Sequence, residues 1–232
     1  MIPLRLFSND VVRTCALLGM CAGIVTYGAG GFLSLYFQDS LLVSPTESGL
    51  RTLPQMLGVT MATFGVGRII AKTGKYKVFP VIGSVLSIFG LIGIAQITGT
   101  TPYLYLVIPM ILMGFGTAAI FTTTSIASQN AVEFSDLGVA TATVLFFRSL
   151  GGSFGLAIFG TVLNTTIRSE IPKRITIDPD NASSIIRSPD QISALPPASK
   201  QAVVDSLALG VSRIFWLCAA TMVIGLLLAI IL

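Results

Sequence analysis

Residues 67–97 read GRIIAKTGKYKVFPVIGSVLSIFGLIGIAQI, and this segment is the clearest indication of the fold class. It opens with a short basic turn that carries four Lys and Arg side chains. The turn leads into about residues 78–97, which contain no charged side chain. About 20 mostly apolar residues are enough for an α-helix to cross the hydrocarbon core of a bilayer. The stretch therefore predicts a helix that enters a membrane directly from a basic surface turn.

The composition of the whole chain agrees with a membrane environment. Of its 232 residues, 53% are hydrophobic and only 10% are charged, and the mean hydropathy is +0.87. Soluble domains carry about a quarter charged residues, so an ordinary cytosolic enzyme, a disordered chain and a disulfide-stapled secreted module are excluded. The net charge of +4 is modest and its basic residues follow no single face, so we expect no nucleic acid among the partners. The expected environment is the lipid bilayer.

Six segments are long and apolar enough to span a membrane. They cover about residues 12–37, 48–70, 78–97, 103–127, 138–163 and 207–232. The connections between the first five are short, which predicts antiparallel neighbours. The remaining connection, residues 164–206, is polar and rich in proline, and its backbone groups would lack partners in lipid. We therefore predict an all-α membrane protein in which residues 1–232 form one domain of six transmembrane helices.

The charges beside the spans bear on orientation. Lys and Arg near span ends favour the cytoplasmic side, but six lie on one side of the predicted topology and seven on the other. Charge density favours the side of Arg68 to Lys77, where four cations fall within ten residues, because the long loop offsets its five cations with five acidic residues. This reasoning places both chain ends in the cytoplasm.

The polar residues inside the spans concentrate in the fourth and fifth. Thr117 and Arg148 are two of them, whereas the third and sixth spans are almost wholly apolar. Polar groups at membrane depth predict that these helices face a bundle interior or an aqueous cavity. The alternative is that each hydroxyl bonds a carbonyl of its own helix.

Small residues and prolines predict close packing and bends. Residues 148–160 read RSLGGSFGLAIFG, in which Gly151, Gly152 and Gly155 would let another helix approach closely. Two interpretations stay open, namely plain packing and a bendable helix that moves against its neighbour. Pro54 and Pro109 predict kinks in the second and fourth spans.

No constellation of catalytic residues is found in the sequence. Histidine is absent, no carboxylate lies well inside a span, and no phosphate-binding glycine loop followed by Lys and Ser or Thr occurs. The three cysteines lie in apolar segments without metal-ligand spacing. We therefore predict a protein that is not an enzyme and that holds no cofactor and no metal.

The basic turn resembles a loop of the major facilitator superfamily. Glycine and the basic residues of Gly67–Lys77 match the G-x-L-a-D-r-x-G-r-k loop of that family in spacing, although Ala71 stands where the acidic residue would be. The resemblance implies a conformational latch formed by Gly67, Arg68, Lys72, Gly74 and Lys75. The alternative is that these cations only set the topology.

Other stretches are similar to the carboxy-terminal half of the EmrB/QacA group of fourteen-span drug:proton antiporters. These stretches are PLRLF at 3–7, YFQ at 36–38, SPTESGL at 44–50, QNAV at 129–132, DLGVATA at 136–142 and FFRSLGG at 146–152. A long outer loop before the last span is a feature of that group as well. The resemblance covers nearly the whole chain and implies cytoplasmic ends, in a multi-pass protein of the plasma membrane, expected to be a bacterial inner membrane.

The resemblance implies half of a transporter. A facilitator half consists of two inverted three-helix repeats, with the substrate site between the two halves. It implies that spans one, two, four and five line the cavity of a proton-coupled multidrug exporter that takes small amphipathic or cationic substrates. The expected partners are protons and the amino-terminal half of the same transporter. The expected cavity residues are Phe32, Tyr36, Thr117, Phe146, Phe147 and Arg148.

Two alternatives to drug export stay open at this point. One is a facilitator transporter of another small substrate, such as an amino acid or a metabolite. The other is a six-span membrane scaffold or partner subunit that does not transport.

Arg148 is the most demanding residue of the predicted spans. It lies about ten residues into the fifth span, which is roughly 15 Å at 1.5 Å per residue and so near the middle of the bilayer. A bare arginine there costs at least about 2.5–3.5 kcal/mol, so it needs partners or water. The sequence leaves two roles open, a clamp that bonds carbonyls or hydroxyls such as that of Ser149, and a cavity residue that meets acidic groups of the other half.

Overall fold

A computed structural model of the chain describes residues 9–41, 43–174 and 197–232, and all of its regular elements there are helical. We number the helices in chain order. A 3₁₀ turn, Phe134–Asp136, precedes the sixth helix. The helices are α1 (Asp10–Ser40), α2 (Pro45–Arg51), α3 (Leu53–Thr73), α4 (Val78–Ala95), α5 (Tyr103–Asn130), α6 (Leu137–Arg174) and α7 (Pro197–Ile231).

Helix α1 is longer than the predicted span and is not α-helical throughout. The side chain of Asn9 caps its start by accepting hydrogen bonds from the backbone N–H groups of Val11 and Val12. Two π-helical turns, Ile24–Gly28 and Tyr36–Ser40, interrupt the α-helical geometry. Such turns are rare in helices and are often found at functional sites.

The second predicted span is two helices. Ser44 caps the short helix α2, Thr52 follows it, and α3 then begins. Pro54 lies in the first turn of α3, where its missing N–H has no helical partner to lose. The prediction of a kink at Pro54 is therefore wrong, since the proline starts a helix. Pro109 does lie inside a helix, α5.

The predicted outer loop is shorter than expected. Helix α6 continues through residues 164–174, and α7 already begins at Pro197, so both ends of the predicted loop at 164–206 are helical. Residues 175–196 lie outside the described residues, as does the PLRLF segment at 3–7.

Within the described residues, five helices are long and apolar enough to cross a membrane, namely α1, α4, α5, α6 with its 3₁₀ turn, and α7. The chain is thus a helical membrane protein. Helix α3 has 21 residues, about 31 Å at 1.5 Å per residue, which is long enough to span. It is not one of the five, and it contains Gln55, Arg68 and Lys72 among its apolar residues. That α3 also crosses the membrane, which would make six spans in all, stays a prediction.

The helices include two close pairs, α1 with α6 and α3 with α5, that pack on common neighbours. Helix α5 lies against both α3 and α4, and α1 lies against α6 and α7. Helix α7 also packs on α4 and α6, and α1 contacts α5. The core between them is filled by buried side chains that include Phe37, Leu91, Met110, Ile120 and Phe215.

Candidate substrate site

Helices α1 and α6 approach each other through two reciprocal contacts of glycine with a carbonyl. A Cβ atom at Gly23 would overlap the carbonyl oxygen of Arg148, and a Cβ atom at Gly151 would overlap that of Met20. Each glycine lies three residues after the residue whose carbonyl the other glycine faces. Only glycine allows two helix backbones to come this close, so the two contacts fix the pair.

The other two glycines that were predicted to pack, Gly152 and Gly155, lie at the same interface. Gly152 faces the side chain of Tyr27, and Gly155 faces the backbone of Ile24 and Gly28. The stretch therefore packs along the π-helical turn of α1.

Helices α3 and α5 repeat this arrangement. A Cβ atom at Gly58 would overlap the carbonyl oxygen of Ile111, and one at Gly114 would overlap that of Gln55. The spacing is again three residues on each helix. Adding 91 to the residue numbers of α1 turns Met20 and Gly23 into Ile111 and Gly114 of α5. Subtracting 93 from those of α6 turns Arg148 and Gly151 into Gln55 and Gly58 of α3. Arg148 of α6 then corresponds to Gln55 of α3.

The guanidinium of Arg148 bridges α6 to α5. Its Cζ atom lies 3.7 Å from the centroid of the Phe121 ring, a cation–π contact, and Nη2 donates a long hydrogen bond of 3.5 Å to the Phe121 carbonyl. The Nε atom is buried and has no hydrogen-bond partner within the described chain. The clamp interpretation is thus right about a carbonyl partner, but the predicted hydroxyl of Ser149 is not the group that Arg148 contacts.

Tyr27 completes this cluster and was missed in the sequence. Its ring is stacked on Phe121 at 6.4 Å between centroids, half of the residue is exposed, and it interacts with the Arg148 guanidinium. Tyr27 belongs to the π-helical turn of α1, beside the buried Oγ1 of Thr26, which lacks a partner in the described chain. The available signal was a hydroxyl-bearing aromatic residue inside the glycine-rich stretch at 27–31.

A shallow cavity opens next to Tyr27. Its volume is about 240 Å³, and it is lined by Tyr27, Ser149, Gly152, Ser153 and Leu156. The Ser153 hydroxyl donates to the Ser149 carbonyl at 3.1 Å, and both serines are exposed. The cavity thus combines an aromatic ring, two hydroxyl groups and an apolar side chain.

Two of the residues predicted for the cavity are core residues instead. Tyr36 is fully buried, and its hydroxyl donates to the Thr98 carbonyl at 2.8 Å. Thr117 is buried and donates back to the Met113 carbonyl of its own helix at 3.0 Å. The prediction that they line an open cavity is therefore wrong for both, because neither side chain presents an accessible surface.

The remaining predicted aromatics do not converge on one site. Phe32 packs edge-on against Phe159 at 6.3 Å between centroids. Phe146 and Phe147 form a T-shaped pair at 5.7 Å, and half of Phe146 is exposed. Of the predicted cavity set, the structure brings only Arg148 to the cluster with Tyr27.

The predicted latch is a tight helix end. Helix α3 ends where Gly74 adopts a left-handed conformation with φ of 67°, and the Gly74 N–H donates to the Ile70 carbonyl at 2.8 Å. Gly67, about two turns earlier, faces only the Thr122 methyl group at an ordinary distance. Arg68, Lys72 and Lys75 are exposed, and no ion pair within the described ranges involves them.

This arrangement brings several kinds of polar and aromatic group together. It offers a cation held by aromatic rings, hydroxyl groups and close-packed helices that lie within apolar segments. Polar groups of this kind at membrane depth mark the pathways of substrates and ions. The fold therefore defines a membrane-embedded helical bundle with a polar and aromatic cluster between its helices.

Comparison with known proteins assigns the family. The sequence model of the Major Facilitator Superfamily matches residues 3–168. An uncharacterised MFS-type transporter of Mycobacterium tuberculosis is 32% identical over 231 residues, which are 100% of this chain and 34% of that protein. The chain belongs to the major facilitator superfamily, a family of transporters and not of enzymes.

More distant relatives are named for drug resistance or multidrug transport. The tetracycline resistance determinant of Streptomyces rimosus is 28% identical over 70% of this chain and 47% of its own length. The multidrug transporter protein MdtP of Bacillus subtilis is 24% identical over 89% of this chain and 42% of its own length. The chain spans about a third of the length of the M. tuberculosis relative and less than half of these two.

Proposed function

We propose that the chain is the carboxy-terminal six-helix half of a facilitator transporter, built of two inverted three-helix repeats. The observation that carries this proposal is the matched register of the two helix pairs. If α1 is exchanged with α5, α3 with α6 and α4 with α7, the α1–α6 contacts coincide with the α5–α3 contacts. The same exchange maps the α4–α5 packing onto α7–α1 and leaves the α1–α5 and α4–α7 contacts in place.

The repeat assignment decides which helices face the substrate. In a facilitator half, the two exchanged pairs α1–α6 and α3–α5 line the central cavity, and α4 and α7 lie outside. The polar residues of α5 and α6 and the apolar character of α4 and α7 agree with this division. Helix α3, which lies in the predicted second span, then completes the six spans of the half.

The function that follows is export of small amphipathic substrates by alternating access, coupled to protons. The tetracycline resistance determinant and the multidrug transporter among the relatives support export. A proton-coupling group needs a carboxylate at membrane depth. In the described helices the acidic residues lie near helix ends, so the coupling group would come from the rest of the transporter. The fourteen-span drug:proton antiporter architecture and a bacterial inner membrane remain parts of the proposal.

The turn at Gly67–Lys77 acts as the latch of this cycle. Its exposed cations lie at the end of α3, where they can meet acidic groups or helix carboxyl ends of a neighbouring repeat. The left-handed Gly74 makes the turn compact.

Transport is tested by joining this chain to the preceding part of its transporter. The assembled protein, expressed in a bacterial strain that lacks its own exporters, should raise resistance to a panel of acidic, neutral and cationic amphipathic drugs. Collapse of the proton gradient by an ionophore should abolish the effect. Equal drug accumulation with and without the transporter would contradict the export proposal.

Orientation needs a separate measurement. In a variant without Cys15, Cys21 and Cys218, single cysteines replacing Thr73 and Ser183 should react with a membrane-impermeant reagent from opposite sides. The position of Ser183, outside the described residues, should react from outside the cell. Reaction of Ser183→Cys only from the cytoplasm would reverse the proposed orientation.

A further inference from the structure

The Arg148 guanidinium has binding capacity that the described chain does not use. A guanidinium carries five N–H donors and no acceptor. Within the described residues, Arg148 has the Phe121 carbonyl at 3.5 Å and an interaction with Tyr27, while its buried Nε has no partner. A charged donor left unsatisfied at this depth is costly, so the site is poised for an acceptor.

Arg213 of α7, another arginine in an apolar helix, is satisfied differently. Its Nη1 donates to the Thr166 hydroxyl at 3.1 Å, and its Nη2 lies 3.9 Å from the Glu170 carboxylate. The described part of the chain thus supplies an acid to Arg213 but places none at Arg148. An anion at Arg148 would therefore come from another molecule or from a part of the transporter outside the described residues.

The surroundings of Arg148 fit an organic acid better than an inorganic ion. Tyr27, half of which is exposed, lines the cavity of about 240 Å³ and also interacts with the Arg148 guanidinium. Ser149 and Ser153 supply hydroxyl groups there, and Leu156 supplies an apolar wall. The flat ring offers a surface on which an aromatic body can stack.

We propose that the cluster of Arg148, Tyr27 and Phe121 binds the anionic group of an acidic aromatic amphipath, whose apolar body lies in the cavity beside Tyr27. This inference deepens the proposed function, on which it rests, by naming the class of substrate. The guanidinium pairs with a carboxylate or a similar anion in a bidentate manner.

The test uses the 232-residue chain in nanodiscs of zwitterionic phosphatidylcholine. Binding of 2-naphthoate, and of the uncharged 2-naphthamide as its matched control for partition into lipid, is measured by equilibrium dialysis. Naphthoate should bind at least roughly tenfold more tightly than the amide, as expected for charge-assisted hydrogen bonds. Equal binding of the two probes overturns the proposal without the need for any variant.

Variants then locate the site. Arg148→Gln should remove the preference for naphthoate, Arg148→Lys should keep part of it through the retained charge, and Arg213→Gln should keep all of it. Thermal unfolding shows which variants are folded. Preference retained in folded Arg148→Gln overturns the assignment to this residue. If Arg148→Gln does not fold, Arg148→Lys decides by the same criterion, because an unchanged preference contradicts the bidentate contact.

The complete transporter separates the two sources of the anion. If a substrate acid occupies the site, naphthoate binds the complete transporter with the same preference and competes with exported acids. If a carboxylate of the remaining chain occupies it, the preference disappears, and the substrate assignment is wrong. Loss of drug export with naphthoate binding intact would instead count against the proposed function alone, because binding to the chain does not require transport.

Discussion

The two close helix pairs share one backbone geometry and differ in chemistry. In α1–α6 and in α3–α5, a glycine on each helix faces a carbonyl on the other at the same three-residue spacing. At the equivalent positions, α6 carries Arg148 and α3 carries Gln55, and both side chains are partly buried. The comparison indicates that glycine sets how closely the helices approach, while the neighbouring polar residue sets what the pair can bind.

The α1–α6 pair is also the less regular one. Helix α1 has a π-helical turn at Ile24–Gly28, which carries Tyr27, whereas α3 is an α-helix throughout Leu53–Thr73. The turn places an exposed aromatic ring on Gly152, where a larger residue would meet the Tyr27 side chain. The added chemistry of this pair therefore depends on both an irregular helix and a small residue opposite it.

The largest expected effect is the loss of a glycine contact. Gly151→Leu and Gly58→Leu should each lower the free energy of unfolding by at least about 2 kcal/mol, because the new side chain must push two helix backbones apart. Unfolding in detergent titrated with denaturant measures this. Gly160→Leu, on α6 with nothing within 4 Å of an added Cβ, is the matched control. A loss at only one of the two pairs would break the comparison.

The next effect separates the chemistry of the two pairs. Arg148→Gln gives α6 the residue type that α3 has, and export of acidic substrates by the complete transporter should fall roughly tenfold, as expected for a lost charged hydrogen bond. Gln55→Leu should lower export less than about threefold. The initial rates of efflux, normalised to protein in the membrane, decide. Equal losses would mean that the two positions are equivalent in function as well as in geometry.

A smaller effect is expected at the end of α3, which has no counterpart in the described part of α6. Gly74→Ala should cost about 1–2 kcal/mol of stability, because residues with a Cβ atom are strained at a φ of 67°. Gly138→Ala, at an open helical position of α6, should cost nothing. If Gly74 acts in the latch, turnover in the complete transporter should also fall, with substrate binding retained. Unchanged turnover in folded Gly74→Val would contradict the latch.

The smallest effects concern two tyrosines that anchor α1 and α5 at the same side of the bundle. Tyr36 donates to the Thr98 carbonyl at 2.8 Å, and Tyr103 donates to the Arg51 carbonyl at 3.2 Å. Tyr36→Phe should cost about 1 kcal/mol, since it removes the hydrogen bond of a buried side chain, and Tyr103→Phe should cost less because its bond is longer. Thermal unfolding of both variants tests the order, and the reverse order would contradict it.

Much of the fold could be predicted from local sequence, because a membrane imposes one length and one kind of secondary structure on each span. The predicted boundary of the fifth span was wrong at residues 164–174. These residues are polar and were predicted to be a loop, but α6 continues through them. Pro54 was predicted to kink a continuous helix because the break at Thr52 was not evident from the sequence. With that break, Pro54 lies in the first turn of α3.

The amino-acid sequence alone predicts that the chain is a helical membrane protein, that glycines bring helices close, and that Arg148 needs a partner within the membrane. These follow from hydropathy, residue size and the free energy of burying a charge, which are properties of single residues and their near neighbours. The packing of the helices was needed to identify Phe121 and Tyr27 as the partners of Arg148 and to show that Tyr36 is buried. Such contacts join residues far apart in the chain, and the packing angle of the helices fixes which faces meet.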